Sequence, residues 1–320
     1  MLEIIPFRKD YLPAAAELFI QNFRKLRQAI PILPDTLEHS DIVCARLEEL
    51  FGPCPGAIAL QDGQMVGYMG WYIIPNFRQN RYNGAYCPEW SHATAEENRH
   101  KIYRALYRAA ATEWTAAGCR VHAVTLLAND PVAERTWFWN GFGLTVVDAV
   151  RPLTPLNVPV PPGLEIRKAT LVDVKMLEVL EAEHWRHYAE PPVLMITRPP
   201  SDATGFTRLL QDEHNSVWLA LDGSEPAGYI RFEESSFGAA ASVNAETTIA
   251  ITGLYVRPAY RGQKAAAAML DAALVDHAAR GFERCAVDFE SFNPEATTFW
   301  MRYFEPVCLS VMRVPEKQII

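Results

Sequence analysis

The sequence lacks several features that would place it in a specialised class of protein. It contains no apolar run near the roughly 20 residues that a membrane helix needs. Its first residues lack a basic stretch followed by a long apolar one, so no export signal is predicted. Its six cysteines include no Cys-x-x-Cys pair, which argues against a zinc site and predicts reduced thiols. We therefore expect a cytoplasmic protein that binds no membrane and no metal.

Positive charge is also scarce in this chain. Acidic residues outnumber basic ones by 38 to 30, and the formal net charge of −8 argues against a nucleic-acid partner. This balance mildly favours a cationic small substrate, although an acidic surface mainly serves solubility. The 320 residues exceed the usual single-domain size, and 49% of them are apolar. The chain is therefore predicted to fold as two globular domains of roughly 150 residues each.

A proline-rich stretch separates the two halves of the sequence. Residues 151–163 contain five prolines, which exclude a helix or an interior strand. We interpret this stretch as a linker between a domain at 1–150 and a second domain at 164–320.

The predicted order of strands and helices repeats on either side of that linker. A shift of 163 residues places identical residues opposite one another: Lys101 and Lys264, Gly118 and Gly281, Pro131 and Pro294, Ala133 and Ala296, Trp137 and Trp300. At this shift the predicted helix starts and helix ends of the two copies coincide. Because the repeat is the size of a domain, it indicates a duplicated α/β unit and not a solenoid.

The C-terminal copy contains a predicted strand, turn and helix that suit an anionic ligand. The strand covers 247–256, the basic turn follows at 257–263, and the helix extends from about Lys264 to Arg280. Backbone N–H groups at the start of a helix bind anions, and Gly262 lets the backbone approach a ligand closely. A diphosphate fits this pattern, while an ordinary strand–helix turn with solvated basic residues is the alternative.

The residues from Leu254 to Gln263 resemble the acetyl-CoA-binding motif of the GCN5-related N-acetyltransferase (GNAT) superfamily, and 293–300 resemble its partner motif. This resemblance implies two tandem α/β domains, each with a mixed, splayed β-sheet flanked by helices. It also implies that acetyl-CoA is the cosubstrate. The cofactor-binding residues that it implies are Leu254, Tyr255, Val256, Arg257, Arg261, Gly262, Gln263, Lys264, Ala265, Ala266, Asn293, Ala296 and Trp300.

Two positions depart from the pattern of that family. Lys264 stands where a glycine is usual, and Trp300 stands where a proton-donating tyrosine is frequent. Tyr303 lies one helical turn beyond Trp300 and is a candidate replacement, although both side chains also suit a packing role. The departures keep a second interpretation open, in which the protein binds an acyl-CoA or a partner without catalysis.

Carboxylates near the motif are candidates for the base that must deprotonate an attacking amine. Glu246 precedes the motif strand, whereas Asp288 and Glu290 are two residues apart on the next strand and face the same side. Solvated carboxylates at strand ends are the alternative interpretation of all three. No cysteine accompanies a base, so we expect direct attack of the amine on the thioester.

The N-terminal copy lacks the anion-binding residues of the C-terminal one. Its equivalent turn, 94–100, contains Glu96 and Glu97 and no glycine, so two carboxylates would repel a phosphate. We therefore predict an N-acetyltransferase whose C-terminal domain acetylates a small-molecule or peptide amine, beside a degenerate N-terminal domain. The irregular segment 188–212 is expected to govern the choice of acceptor, and assembly as a homodimer is left open.

Overall fold

The last strand of the chain belongs to the sheet of the N-terminal half. The computed structural model describes residues 1–196 and 201–316, which divide into two units. Unit 1 comprises Met1–Asp148, Ala240–Ser242 and the described part of Glu305–Ile320, and unit 2 comprises Ala149–Ala239 and Val243–Phe304. The predicted domain at 164–320 includes the last strand, whereas the structure places that strand in unit 1.

Unit 1 contains eight strands and four helices before the chain enters unit 2. In chain order these are β1 (Leu2–Pro6), α1 (Leu12–Ala29), α2 (Ser40–Phe51), β2 (Gly56–Gln61), β3 (Gln64–Gly70), β4 (Tyr72–Ile74), β5 (Asn83–Cys87), β6 (His92–Thr94), α3 (Arg99–Ala116), β7 (Cys119–Leu127), α4 (Pro131–Trp139) and β8 (Gly143–Pro152). Strands β1, β2, β3 and β6 form one sheet in that order. The strand β8 passes from unit 1 into unit 2 at residue 149.

Unit 2 contains the elements from β9 to α9. They are β9 (Leu164–Lys168), α5 (Val174–Ala189), α6 (Ala203–Gln211), β10 (Ser216–Asp222), β11 (Glu225–Glu234), α7 (Ser235–Gly238), β12 (Thr248–Val256), α8 (Ala265–Ala279), β13 (Arg284–Glu290) and α9 (Pro294–Tyr303), followed by β14 (Glu305–Arg313) in unit 1. Strand β14 pairs antiparallel with β7, from Cys308 opposite Leu127 to Arg313 opposite His122. This pairing explains why β14 belongs to unit 1, because it completes a ladder of backbone hydrogen bonds there.

Local sequence explains where the predicted elements begin and turn. Asp62 and Gly63 both have positive φ and join β2 to β3 as a tight hairpin turn. Asp130 begins α4 and Asn293 begins α9, and each side chain accepts a hydrogen bond from the backbone N–H three residues later. In both helices the capping residue is followed by proline, which is favoured at the first helical position.

The helices α3 and α8 do not begin at equivalent residues, so the prediction that their starts coincide is wrong. Their ends match, since Gly118 and Gly281 both take positive φ just beyond the last helical turn. At a shift of 163 residues, however, α3 begins three residues earlier than α8, at Arg99 and not at the equivalent of Ala265. The N-terminal copy therefore uses residues 99–101 as helix, whereas their equivalents 262–264 in the C-terminal copy form the end of the basic turn and the N-cap.

The segment predicted as a linker has no regular secondary structure after Pro152 and is attached to α8. The carboxylate of Asp271 accepts hydrogen bonds from the backbone N–H groups of Leu156 at 2.7 Å and Val158 at 2.9 Å. The proline-rich chain thus gains two backbone partners without forming a strand. None of the described helices is long and apolar enough to span a membrane.

Candidate functional site

A cleft of about 1100 Å³ opens in unit 2 at the point where β12 and β13 separate. The two strands pair in parallel from Thr248 opposite Arg284 to Ile251 opposite Val287. One residue further, Thr252 forms a β-bulge, because β11 pairs with Ile251 and then with Gly253. The bulge and the end of the parallel pairing together leave the second half of β12 facing an open space.

Most of the predicted site residues line this cleft. They are Leu254, Tyr255, Val256, Arg261, Gly262, Lys264, Ala265, Ala266, Asp288, Glu290, Asn293, Ala296, Trp300 and Tyr303. The structure therefore brings the two sequence motifs together from β12, α8, β13 and α9.

Three predicted residues are not among those that line the cleft. Arg257 turns away and forms a bidentate ion pair with Glu183, at 2.9 and 3.0 Å. Gln263 is exposed and donates to the backbone carbonyl of Ala259. Glu246 is exposed in the turn before β12, at the opposite end of that strand from the basic turn. The structure thus brings Asp288 and Glu290 to the cleft and leaves Glu246 outside it.

The N-terminus of α8 faces the cleft without a capping side chain. Lys264 occupies the N-cap with φ +68°, and no side chain accepts a hydrogen bond from the first turn. Gly262 also has positive φ, of +75°, and a Cβ there would meet no atom within 4 Å. Since Ala265, Ala266 and the next alanine line the cleft, the uncapped N–H groups of this turn fit a diphosphate.

Two basic side chains flank that turn. Arg261 donates from Nε to the carbonyl of Val256 at 3.0 Å, and its guanidinium lies 5.8 Å from the ring centroid of Tyr255. Lys264 is exposed and forms no ion pair within the part of the chain that the structure describes. Arg261 is thus held in place by β12, whereas the ammonium of Lys264 remains available to an anion.

The residues of α9 form a second side of the cleft. Asn293 is buried and caps the helix, so its role here is structural. Trp300 is buried and packs edge-on against Phe304, with centroids 5.3 Å apart. Tyr303 is half-buried and packs against Phe299 at 5.1 Å. The indole of Trp300 therefore acts in packing, and the phenol nearest to it in the helix belongs to Tyr303.

A polar network that the sequence analysis did not identify lines the cleft beside β12. Arg231 holds the bulge by donating from Nε to Oγ1 and from Nη2 to the carbonyl of Thr252, both at 2.8 Å. Thr252 in turn donates to Glu233. Glu181, only 3% exposed, lies 3.7 Å from Arg231. These residues come from α5, β11 and β12, so no spacing in the sequence links them.

His184 belongs to the same network. Its Nδ1 lies 2.9 Å from the hydroxyl of Tyr229, and that hydroxyl donates to Glu181. Burial, with a smaller contribution of the same sign from the charge of Arg231, lowers the pKa of His184 to about 3, so the ring is neutral. The sequence marks this place only by the pair His184 and His187, three residues apart, a spacing that also suits a metal. Among the described residues no group of three metal-ligating side chains is found.

The equivalent region of unit 1 is filled by side chains. The space there is about 20 Å³ and is lined in part by His92, Tyr103 and Asp130. Tyr103 hydrogen-bonds His92 at 3.2 Å and packs against Trp137, which is fully buried. Arg99, near the start of α3, forms an ion pair with Asp130. The region of unit 1 that corresponds to the cleft of unit 2 is therefore packed by side chains.

Comparisons with known proteins agree with this geometry. Residues 179–304 match the model of the acetyltransferase (GNAT) family. The structure of a GCN5-related N-acetyltransferase from Sphaerobacter thermophilus is 15% identical with a TM-score of 0.60, covering 99% of this chain and 98% of that chain. No curated protein matches at a significant level.

Two further solved structures are similar. One is a GCN5-related glucosamine N-acetyltransferase region of a fungal multi-domain β-N-acetylglucosaminidase, 12% identical with a TM-score of 0.56, covering 98% of this chain and 38% of that chain. The other is a tandem GNAT protein from the clavulanic acid biosynthesis pathway, 14% identical with a TM-score of 0.46, covering 99% of this chain and 100% of that chain. The predicted fold class, with mixed sheets flanked by helices, is confirmed.

Proposed function

Because residues 179–304 of this chain belong to the acetyltransferase (GNAT) family, we propose that unit 2 transfers the acetyl group of acetyl-CoA to an amine. The observation that carries this proposal is the uncapped N-terminus of α8, which faces a cleft where two parallel strands separate. Acetyl-CoA needs both features, since its diphosphate requires N–H donors and its extended arm requires a gap between strands.

The residues of the basic turn bind the diphosphate in this proposal. The N–H groups after Gly262 point toward it, and the positive end of the helix dipole adds attraction. Arg261 and Lys264 supply positive charge on either side. Lys264 takes the left-handed conformation that glycine takes more easily, so the turn keeps its shape despite the Cβ.

Catalysis then requires an oriented thioester, a stabilised oxyanion and a proton acceptor. Bound acetyl-CoA supplies the thioester as acyl donor. Beyond Ile251 the edge of β12 that faces β13 pairs with no strand in the described part of the chain, so its N–H groups are available to the developing oxyanion. The amine attacks the thioester directly and not through an acyl-enzyme. Cys285, the cysteine of β13, is unsuited to act as a nucleophile, because it is buried and burial raises the pKa of its thiol well out of the nucleophilic range.

The acceptor in this proposal is a small-molecule or peptide amine. Carboxylates lie on two sides of the cleft, Glu233 on β11 and both Asp288 and Glu290 on β13, and they favour a cationic group. Tyr188 lines the same cleft, where burial and then the charges of Glu290 and Asp288 raise its pKa. It belongs to the segment 188–212, of which residues 197–200 lie outside the described residues.

Unit 1 in this proposal is a degenerate copy that binds no CoA. Its filled core around Tyr103 and Trp137 supports that assignment, as does the extra turn of α3. The carboxylates that motivated the prediction from the sequence are exposed, and Glu96 forms an ion pair with Lys25. In this proposal the side chains that fill the space in unit 1 exclude CoA more effectively than the exposed carboxylates repel it.

Calorimetric titration with acetyl-CoA tests the cofactor site. We expect one binding site per chain, a weakening of about tenfold in Arg261→Ala from loss of a charge-assisted contact, and no change in Lys175→Ala. Lys175 is exposed on α5 and is not among the cleft residues, so it serves as a matched control. Equal affinity of all three proteins would show that the cofactor binds elsewhere.

Thiol release from acetyl-CoA across a panel of amines then tests turnover. A non-catalytic acyl-CoA-binding module is the second candidate, and the buried Trp300, which replaces the frequent tyrosine, favours it. Binding without thiol release in the presence of any amine would support that candidate. Thiol release that depends on both amine and acetyl-CoA supports transfer.

A further inference from the structure

His184, Tyr229 and Glu181 form a hydrogen-bonded series along the wall of the cleft, here called the proton chain, which ends on the buried carboxylate of Glu181. The hydroxyl of Tyr229 donates to Oε2 of Glu181, and Nδ1 of His184 lies 2.9 Å from that hydroxyl oxygen. Tyr229 has one hydroxyl proton, which is already donated, so Nδ1 of His184 must be the donor in the second bond. His184 therefore carries its proton on Nδ1 and a lone pair on Nε2.

The lone pair of His184 is available to a ligand. The imidazole packs against the rings of Tyr188, at 4.6 Å, and Tyr255, at 5.5 Å, and these contacts restrict its orientation. Tyr255 lies on β12 within the cofactor motif, and Tyr188 lines the same cleft as the carboxylates of β13. The ring lines the cleft, and Nε2 has no hydrogen-bond partner among the residues that the structure describes.

The carboxylate of Glu181 is arranged to receive a proton. Trp185 donates to its Oε1 at 3.1 Å, and an indole N–H is only a donor, so this oxygen is an acceptor. Tyr229 donates to the other oxygen, and Arg231 lies 3.7 Å from Oε1. Each of these contacts is one that an ionised carboxylate makes.

We propose that the proton chain removes the proton of the acceptor nucleophile, which rests on the proposed function of the same cleft. As the amine nitrogen bonds to the thioester carbon, its proton passes to Nε2 of His184. The Nδ1 proton passes to the oxygen of Tyr229, and the Tyr229 proton passes to Oε2 of Glu181. The carbon–sulfur bond then breaks and the electron pair leaves on the thiolate, and the reverse transfers return the proton to thiolate or water.

The burial of the three groups explains why a relay suits this site. A buried imidazolium next to Arg231 would be unfavourable, which is also why the pKa of His184 falls to about 3. In the relay the ring gains a proton on Nε2 as it loses one from Nδ1, so it holds no net charge. His184 is thereby assigned as the catalytic residue that contacts the nucleophile, and Tyr229 and Glu181 as positioning residues that act through it.

Turnover in three variants tests the assignment, with the amine of highest wild-type rate in a panel of spermidine, glucosamine, tyramine and a lysine peptide. We expect His184→Ala, Tyr229→Phe and Glu181→Gln each to lower kcat by about 100-fold, as for loss of a general base, with the Kd of acetyl-CoA unchanged. Added imidazole should restore part of the activity of His184→Ala alone. His214→Ala, an exposed histidine on unit 2, is the control. A His184→Ala enzyme within about twofold of wild-type kcat would overturn the proposal.

Nitrogen-15 NMR of the histidine side chains tests the relay independently of turnover. We expect His184 to be neutral and protonated on Nδ1 from pH 8 to about 5, and Tyr229→Phe to change that tautomer. An Nε2-protonated ring in the wild type would overturn the relay whatever the activity. If no amine supports thiol release by the wild type, the proposed function fails, while this spectrum still decides the state of the chain.

Discussion

Tyr103 in unit 1 occupies the helix position that Ala266 occupies in unit 2. Counted back from the glycine that ends each helix, the two residues lie at the same place in α3 and α8. Ala266 lines the cleft, whereas Tyr103 is buried and fills the corresponding space together with Trp137. At this position of the duplicated unit, a small residue borders the open site of unit 2 and a large one contributes to the packed core of unit 1.

The pair predicts the effect of filling the cleft. Ala266→Tyr should weaken acetyl-CoA binding by about tenfold or more, because the added ring overlaps ligand space and overpacking costs typically 1–3 kcal/mol. Calorimetry measures the affinity and thermal melting reports folding. Ala278→Tyr is the matched control, since Ala278 is exposed near the other end of α8. A folded Ala266→Tyr protein with wild-type affinity would contradict the placement of the cofactor.

The left-handed conformation of Lys264 leads to a second prediction, which distinguishes the effect of its backbone conformation from the effect of its ammonium group. Lys264→Gly should raise the unfolding free energy by up to about 1 kcal/mol, since glycine avoids most of the penalty for positive φ. Lys264→Ala keeps that penalty and should leave stability unchanged. Urea unfolding measures both effects.

The same two variants report on the ligand. Each removes the ammonium, so each should bind acetyl-CoA several-fold more weakly, with a smaller dependence on salt. If the Cβ of residue 264 obstructs the diphosphate, Lys264→Gly will bind more tightly than Lys264→Ala. Affinity equal to wild type in both would show that the ammonium makes no contact with the phosphates.

The sequence predicted those parts of the site that short segments determine. The turn at Gly262 and the start of α9 at Pro294 depend on residues adjacent in the chain, and both form where the sequence predicts them. The proton chain joins α5 to β11, so its residues meet only through tertiary packing. Similarly, β14 pairs with β7, a strand far away in the sequence, and no local pattern predicts which distant strand it will join. The part that Tyr103 takes in filling unit 1 is likewise visible only when the cleft of unit 2 is known.

The anchoring of the proline-rich segment gives a third prediction. Asp271→Ala leaves the N–H groups of Leu156 and Val158 without their acceptor, so we expect a loss of about 1–3 kcal/mol in unfolding free energy. The segment should also become more sensitive to limited proteolysis. Asp276→Ala on the same helix removes only half-exposed ion pairs with Lys168 and Arg280, and should cost less than about 1 kcal/mol. Equal losses in the two variants would contradict a specific role for Asp271.

The buried histidine of α8 gives a prediction for the pH dependence of stability. His277 is fully buried. Its Nε2 shares a hydrogen bond with Oγ of Ser216 at 3.1 Å, and its ring centroid lies 4.9 Å from that of Phe232. Burial lowers its pKa to about 4, and the charges of Arg280 and Lys168 also act to lower it, whereas Asp276 opposes them. In the unfolded chain the ring titrates near 6.5.

Between pH 6.5 and 4 the unfolded state therefore binds a proton at this site that the native state does not. The unfolding free energy should fall as the pH falls through that window, by on the order of 2 kcal/mol per such histidine at pH 5. His277→Gln, which keeps a hydrogen-bonding group near Ser216, should remove this part of the slope, whereas the exposed His214→Gln should not. Urea unfolding of both variants and the wild type at pH 7 and pH 5 measures the difference. An unchanged slope in His277→Gln would mean that the ring is protonated in the folded protein at pH 5.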